Sequence, residues 1–178
     1  MNSMRERRRV SHARFVLCLF LAATFGLADA AHAQIVALGA SNVAGRGVSS
    51  SEAFPAQLER MLAGKGYNMH VANAGINGNT NADMLARLDQ AVPAGTKIVL
   101  LGTLGGRYNA RRLGQGDQTA ELASIMAKLR SRGIKIIPVT GAGVTRKLLQ
   151  VDGVHLTAEG HAAVAARLLP SVIRALGH

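Results

Sequence analysis

The stretch KIVLLG, residues 97–102, decides the fold class. Its apolar residues follow one another without interruption, which is expected for a strand that is covered on both faces of a sheet. A strand with one face in water would alternate apolar and polar residues instead. This pattern therefore indicates a parallel sheet with helices packed on both sides.

Shorter apolar runs lie on either side of this strand and alternate with helical patterns. Strands are predicted at 35–39, 70–73, 97–102 and 134–139, and the last of them is expected to be buried. Helices are predicted at 55–64 and 117–132, and two more begin at Thr80 and Thr157. The alternation predicts an α/β fold, a three-layer α/β/α sandwich with a mostly parallel sheet of four to five strands.

Capping residues and a proline within the helical patterns add two details. Thr80 with Asp83 three residues later predicts a start that resembles a capping box, and Pro170 predicts a bend in the last helix. In parallel sheets, binding and catalytic residues usually lie at the carboxyl ends of the strands. The loops expected to carry chemistry are therefore 39–50, 73–80, 102–116 and 140–156.

Residues 1–33 have the pattern of a secretory signal peptide. A basic start precedes the apolar run 15–28, and small residues precede an expected cleavage after Ala33. The apolar run is short for a membrane-spanning helix, although an uncleaved anchor is the alternative. We expect a single domain at 34–178, located in the periplasm or secreted, with no stable membrane insertion after cleavage. Cys18, the one cysteine, would be lost with the signal.

The chain is strongly basic, with a net charge of +11 over 178 residues. Removal of residues 1–33 takes away five of the 21 basic and two of the ten acidic residues, which leaves +8. The arginines are scattered and few aromatic residues accompany them, which is not typical of a surface that stacks nucleic acid bases. A small-molecule partner is therefore expected rather than nucleic acid.

Ser41 follows the first predicted strand directly, and a serine in such a turn often only bonds its own backbone. A serine nucleophile needs a base that a third group orients. Asp152 and His155 supply such a pair, because Gly153 between them permits a tight turn. The carboxylate can then hold one imidazole nitrogen while the other faces Ser41.

An acyl-transfer site also needs hydrogen-bond donors for the developing oxyanion. The backbone N–H of Ser41, the backbone of loop 73–80 and an amide side chain from loop 102–116 are candidates. A dinucleotide site is disfavoured, because the loop after the first strand lacks the G-x-G-x-x-G spacing and no helix is predicted until residue 55.

Four blocks of the sequence together resemble the SGNH hydrolases, also called GDSL esterases and lipases. They are GASN (39–42), NAGINGNT (73–80), LGGRYN (104–109) and DGVHLTAEGH (152–161). The resemblance covers nearly all of 34–178 in the family's order. It implies a sandwich of the kind predicted above, with Ser41 as nucleophile, His155 as base and Asp152 as the acid that orients it.

The same resemblance implies an oxyanion hole formed by the backbone of Ser41 and Gly78 and by an asparagine side chain. That asparagine directly follows two glycines in the family, but here Arg107 and Tyr108 intervene before Asn109. Asn109 is the best match, and Arg107 is the alternative donor. Gly78 also has a simpler interpretation as a turn glycine.

The function implied is a serine ester hydrolase that cleaves carboxylic esters through an acyl-enzyme. Short-chain or aryl esters are expected, with lysophospholipids and thioesters as further candidates. The alternative is an SGNH-fold binding protein with weak or no activity, because the 104–109 block is irregular. No cofactor is expected, no metal-ligand spacing is present, and His161 is expected to pack or face solvent. The sequence leaves the oligomeric state open.

Overall fold

The structure, a computed structural model, describes residues 34–177; the predicted signal peptide lies outside them. Four parallel strands form one sheet in the order β2-β1-β3-β4. Their bounds are β1 Ile35–Gly39, β2 Val71–Gly75, β3 Ile98–Gly102 and β4 Lys135–Val139. The predicted α/β class and parallel sheet are confirmed, and each strand lies within two residues of its predicted bounds.

Seven α-helices occur in the described residues. They are α1 Ser41–Ala44, α2 Phe54–Ala63, α3 Asn81–Ala86, α4 Leu88–Ala91, α5 Thr103–Arg112, α6 Thr119–Ser131 and α7 Ala158–Leu176, with a 3₁₀ turn at Arg146–Leu148. The predicted cap of α3 is present, because the Thr80 and Asp83 side chains each accept a hydrogen bond from the other's backbone N–H. Thr157 likewise caps α7 by accepting from the N–H of Gly160.

Alternate side chains of the central strands pack into two apolar cores. Ile35 and Ile98 belong to a core that also receives side chains from α2 and α7. Val36 and Val99 point the other way, into a core with side chains from α3, α4 and α6. Because successive strand residues face opposite sides, uninterrupted apolar strands fill both cores, and three layers result. Each fully buried aliphatic side chain contributes roughly 1.5–3 kcal/mol.

Two segments predicted as loops contain helices. α1 lies within 39–50, and α5 occupies most of 102–116. Glycine disfavours helices, but Gly105 and Gly106 are needed inside α5 for close packing. A Cβ on Gly106 would lie 2.2 Å from Asn81 Oδ1, and one on Gly105 would lie 2.9 Å from the Ala40 Cβ. The helix can therefore approach the end of β1 only with glycine at these positions.

One further expectation needs correction. The fourth strand was expected to be buried, but β4 is an edge strand in which Lys135 and Pro138 are exposed. An edge tolerates proline because the missing N–H faces no neighbouring strand. The helix α7 continues through Pro170 to Leu176, and the bend at Pro170 stays a prediction. Within residues 34–177, no helix combines the length and apolar character that a membrane crossing requires.

The strand order places a crevice between the ends of β1 and β3. The chain passes from β1 to β2 on one side and then returns to β3 on the other side of β1. Parallel sheets bind ligands outside the carboxyl ends of strands where the order reverses in this way. The segments that follow β1 and β3, α1 and α5, therefore flank the expected position of a site.

Candidate active site

Ser41 is the first residue of α1 and follows the end of β1 by one residue. The turn is tight, since a Cβ on Gly39 would lie 2.4 Å from Val43 Cγ2. At the start of a helix the first N–H groups have no intrahelical acceptor. Within residues 34–177 the N–H of Ser41 donates no hydrogen bond. The strand-to-helix turn thus presents both a hydroxyl and a free backbone donor.

The structure brings Ser41 and His155 together from positions 114 residues apart. His155 Nε2 lies 3.0 Å from Ser41 Oγ. On the other side of the ring, His155 Nδ1 lies 2.5 Å from Asp152 Oδ2. With the Nδ1 proton donated to Asp152, Nε2 is free to accept the serine proton. Ser41 and His155 are only 8% and 9% exposed, so little water competes for this contact.

Asp152 is held by its own local turn. Its Oδ1 accepts the backbone N–H groups of Val154 at 2.9 Å and of His155 at 3.0 Å. The bond to the His155 ring, followed by these two backbone bonds, holds the pKa of the Asp152 carboxyl well below its usual range. The carboxylate is therefore ionised at neutral pH and can stabilise a positive charge on His155.

The second side of the site contains Gly78 and Asn109. Both residues line the same cleft as Ser41 and His155. Gly78 has φ +81, a conformation that favours glycine, and its N–H donates no hydrogen bond within the described part of the chain. The Asn109 Nδ2 donates to the carbonyl oxygen of Asn79 at 2.9 Å, which leaves its second amide hydrogen free.

Arg107, the alternative donor, does not join this group. Among the described residues it is absent from the cleft lining, and its Nε is buried without a hydrogen-bond partner. The helical geometry of α5 explains the difference, because residues four apart share a face. Asn109 lies four residues after Gly105, which approaches Ala40 beside the serine. The intervening Arg107 and Tyr108 are the rest of a helical turn rather than an enlarged loop.

A family model, described as the GDSL-like lipase/acylhydrolase family, matches residues 37–149. The chain belongs to this family. The match covers more than half of the chain and includes Ser41, Gly78 and Asn109, but it ends before Asp152 and His155. The predicted class, a carboxylic ester hydrolase, is confirmed at the level of this family of lipases and acylhydrolases.

The chain is also similar to individual proteins. The chain is 32% identical over 109 residues to esterase TesA of Pseudomonas aeruginosa, a match that covers 61% of this chain and 54% of TesA. The matched part thus spans about half the length of this curated relative. A crystal structure of TesA has a TM-score of 0.68 at 23% identity and covers 79% of this chain and 98% of that chain.

A second structural match is psychrotrophic esterase EstA from Pseudoalteromonas sp. Its TM-score is also 0.68, with 16% identity and coverage of 81% of this chain and 98% of that chain. At these low identities the structural matches show the fold alone. They confirm the predicted SGNH-type architecture.

The sequence interpretation assigned no role to Asn42, which is the last residue of the GASN block. Its side chain donates to the Val154 carbonyl at 3.0 Å and accepts the Leu156 N–H at 3.0 Å. These are the two residues that flank His155, so Asn42 ties the serine turn to the histidine loop. Its position beside Ser41 was the only signal in the sequence.

Arg87 was missed as well. Its Nε donates to Asn79 Oδ1 at 2.7 Å, and its Nη2 donates to the carbonyls of Ala74 at 2.8 Å and Gly39 at 3.3 Å. The half-buried guanidinium therefore connects the ends of β1 and β2 to the residue after Gly78. Asn109 holds the same residue through its carbonyl. No pattern in the sequence marked Arg87, because it lies in the turn between α3 and α4 and outside the four blocks.

The cleft around these residues has a volume of about 610 Å³. Its walls are largely apolar and include Phe54, Leu104, Val139, Val144, Leu149 and Val164. This volume suits a small ligand, since ligand sites commonly have volumes of about 300–1,000 Å³ and contain a few polar groups that orient the ligand. Among the described residues, no group of three or more His, Cys, Asp or Glu is placed to hold a metal ion.

Proposed function

We propose that the protein is a serine ester hydrolase that cleaves carboxylic esters through an acyl-enzyme. The observation that carries the proposal is the contact of 3.0 Å between Ser41 Oγ and His155 Nε2, with Asp152 on the far side of the ring. A serine, a base within hydrogen-bond reach and an orienting acid are the parts that activate a serine nucleophile.

In the first half of the proposed reaction, Ser41 Oγ attacks the ester carbonyl carbon while His155 Nε2 takes its proton. The carbonyl oxygen becomes an oxyanion, which accepts hydrogen bonds from the N–H groups of Ser41 and Gly78 and from the free amide hydrogen of Asn109. The intermediate then collapses, the bond to the alcohol oxygen breaks, and His155 returns the proton to that oxygen. Ser41 is left acylated.

In the second half, a water molecule attacks the acyl carbon and gives its proton to His155. The second oxyanion forms in the same place and collapses, so that the acid leaves and Ser41 recovers its proton. Asp152 keeps the Nδ1 proton on His155 and stabilises the imidazolium in both halves. No cofactor is proposed.

Short-chain and aryl esters are proposed as substrates, with lysophospholipids and thioesters as further candidates. Support comes from the size of the cleft and its apolar walls, which suit a short acyl or aryl group. Only a 3₁₀ turn and short loops lie between β4 and the histidine loop. A panel of p-nitrophenyl esters from acetate to palmitate would rank these candidates, with kcat/KM expected to be highest at short chains.

The first test compares the purified protein with its Ser41→Ala variant on p-nitrophenyl acetate and butyrate. We expect kcat to fall on the order of 10⁴-fold in the variant, because the nucleophile is removed. Circular dichroism and the thermal midpoint should be unchanged within error. Equal rates for the two proteins would rule out the enzyme proposal and favour the alternative, a binding protein with this fold.

The export proposal is separate. We propose that residues 1–33 direct the chain to the periplasm or outside the cell and are removed after Ala33. The full chain would be expressed in a Gram-negative host, fractionated and sequenced from its N-terminus. A periplasmic or extracellular protein that begins at Gln34 is expected, and an intact chain in the membrane fraction would contradict the proposal.

A further inference from the structure

The charged side chains of the cleft are all of one sign. Arg46, Arg111 and Arg112 line it, and none of the lining residues in 34–177 is Asp or Glu. All three arginines are exposed. Within the described residues none of them forms an ion pair with a carboxylate. These three cations are thus available to a ligand.

Two of these arginines belong to a defined face of α5. Leu104, Tyr108 and Arg112 are four residues apart and share this face, and Arg111 adjoins it. Leu104 and Tyr108 are 55% and 45% exposed, although both are large. The Arg112 guanidinium lies 5.8 Å from the centre of the Tyr108 ring, a cation–π distance. The face therefore begins apolar near β3 and ends in two cations.

Asp117 lies close enough to this face for the charge of Arg111 to act on its carboxylate. Its carboxylate accepts hydrogen bonds from the Thr119 hydroxyl at 2.7 Å and from the Thr119 N–H at 3.2 Å. These bonds, the hydroxyl bond first, and the charges of Arg107 and Arg111 lower the pKa of Asp117. The Asp117 carboxylate is therefore ionised and hydrogen-bonded within its own turn. It does not form an ion pair with Arg111.

We propose that Arg111 and Arg112 form an anion subsite at the rim of the cleft. The preferred substrates are then esters that carry a carboxylate, phosphate or sulfate away from the bond that is cleaved. A guanidinium matches the planar geometry of such groups and can bind them with two parallel hydrogen bonds. Leu104 and Tyr108 contact the apolar part of the same molecule. This inference rests on the proposed ester hydrolase activity.

A purely structural role for the two arginines predicts something different. Both lie in the last turn of α5, where cations stabilise a helix by interaction with its dipole. α6 has the same arrangement, with Lys128 and Arg130 in its last turn, both exposed. The double variant Lys128→Gln/Arg130→Gln is therefore a matched control, because it removes two cations from a helix end and lowers the net charge equally.

The test measures kcat/KM on two pairs of soluble esters. The acyl-side pair is mono-4-nitrophenyl glutarate and its terminal amide; the alcohol-side pair is the butyryl ester of 4-hydroxybenzoate and that of 4-hydroxybenzamide. We expect the wild type to favour the anion in at least one pair by about fivefold or more, through a lower KM. That pair identifies the side of the ester that carries the anion. The preference should weaken as the salt concentration increases from about 20 to about 300 mM, because salt screens the charges at the rim of the cleft.

The double variant Arg111→Gln/Arg112→Gln should lose this preference and keep kcat/KM on the neutral esters within about twofold. The α6 double variant should keep the preference. The anion subsite would be refuted if the wild type had equal kcat/KM within both pairs, or if both double variants lost the preference. Either result would leave the proposed ester hydrolase activity standing. If none of the four esters is turned over faster than by Ser41→Ala, the proposed function fails as well.

Discussion

Two pairs of residues in the site are assembled by different means, Asp152 with His155 and Gly78 with Asn109. The histidine and its acid are three residues apart, and a single turn closes their hydrogen bonds. The proposed oxyanion side depends on the hydrogen bond between Asn79, in the loop after β2, and Asn109, in the helix after β3, which are 30 residues apart. Its geometry depends on how closely α5 packs against the end of β1.

This difference indicates how substitutions should affect each part of the site. Only the Asp152–His155 pair is local in sequence. Hydrogen bonds of Asn42 connect this pair to the turn that carries Ser41, so the chemistry of the proposed triad depends mainly on its three side chains and on the Asn42 connection. The oxyanion side is held by Arg87 and Asn109, which both bind Asn79. Substitutions on the triad side should therefore remove catalysis, whereas those on the oxyanion side should weaken it by smaller steps.

After Ser41→Ala, the largest of these effects is expected for Asp152→Asn. Asparagine can still accept the N–H groups of Val154 and His155, so the turn persists, but it no longer stabilises the imidazolium or fixes the same tautomer. We expect kcat to fall on the order of 10³-fold or more. Steady-state kinetics with p-nitrophenyl butyrate measures this. Asp89→Asn, at an aspartate whose side chain is 83% exposed, is the control and should stay within about twofold.

The next effect is expected for Asn109→Ala, which removes one oxyanion donor and should lower kcat about 10²-fold. Asn109→Asp should cost as much, because a carboxylate keeps the size but cannot donate. Arg107→Gln should stay within about threefold of the wild type, since its side chain does not line the cleft. A larger loss for Arg107→Gln than for Asn109→Ala would assign the donor to the arginine instead.

A smaller effect is expected for Arg87→Met, which keeps much of the apolar stem and loses three hydrogen bonds to the strand ends and Asn79. We expect kcat to fall about tenfold with KM nearly unchanged, and stability to fall by about 1–3 kcal/mol. The control is Arg132→Met, because Arg132 donates to the carbonyls of Val92 and Pro93 away from the site. It should lose stability and keep kcat, and equal kcat losses would refute the positioning role of Arg87.

The smallest effect on catalysis is expected at His161. Its ring is buried and accepts the Phe54 N–H at 3.2 Å, and burial lowers its pKa to about 4 from the ordinary 6.5. Between these values the unfolded chain binds more protons. The free energy of unfolding should therefore fall as the pH drops from 6.5 towards 4, by as much as about 3 kcal/mol from this group.

His161→Asn keeps the acceptor and does not titrate. Urea unfolding at pH 7 and pH 4.5 should show that the stability gap between wild type and variant narrows at the lower pH. A gap that stays constant between the two pH values would show that His161 does not contribute in this way. Of the two roles expected for His161, packing or solvent exposure, its burial agrees with packing.

Much of this molecule could be predicted because its signals are local. Continuous apolar runs marked the strands, and Thr80 marked a helix start through side chains three residues apart. Ser41, Asp152 and His155 were proposed from two short motifs. What could not be predicted depends on packing between distant segments. α5 was hidden by glycines whose purpose, the approach to Asn81 and Ala40, exists only in the folded chain.

The same reason explains the uncertainty over the oxyanion donor. Along the sequence Asn109 is the best match and Arg107 stays as the alternative, because two residues either way in a loop would change little. Once the segment is a helix, a spacing of four from Gly105 turns Asn109 towards the serine and a spacing of two turns Arg107 away. Arg87 is the extreme case, since its three acceptors come from three separate segments.

The most direct test of the central claim is covalent labelling with diethyl p-nitrophenyl phosphate. Attack by Ser41 Oγ on phosphorus would expel p-nitrophenolate and leave a stable diethylphosphoryl serine. Peptide mass spectrometry should find one label, on Ser41, forming at a rate that Asp152→Asn lowers and Ser41→Ala abolishes. A label on another residue, or equal labelling of wild type and Ser41→Ala, would contradict the assignment of Ser41 as the nucleophile.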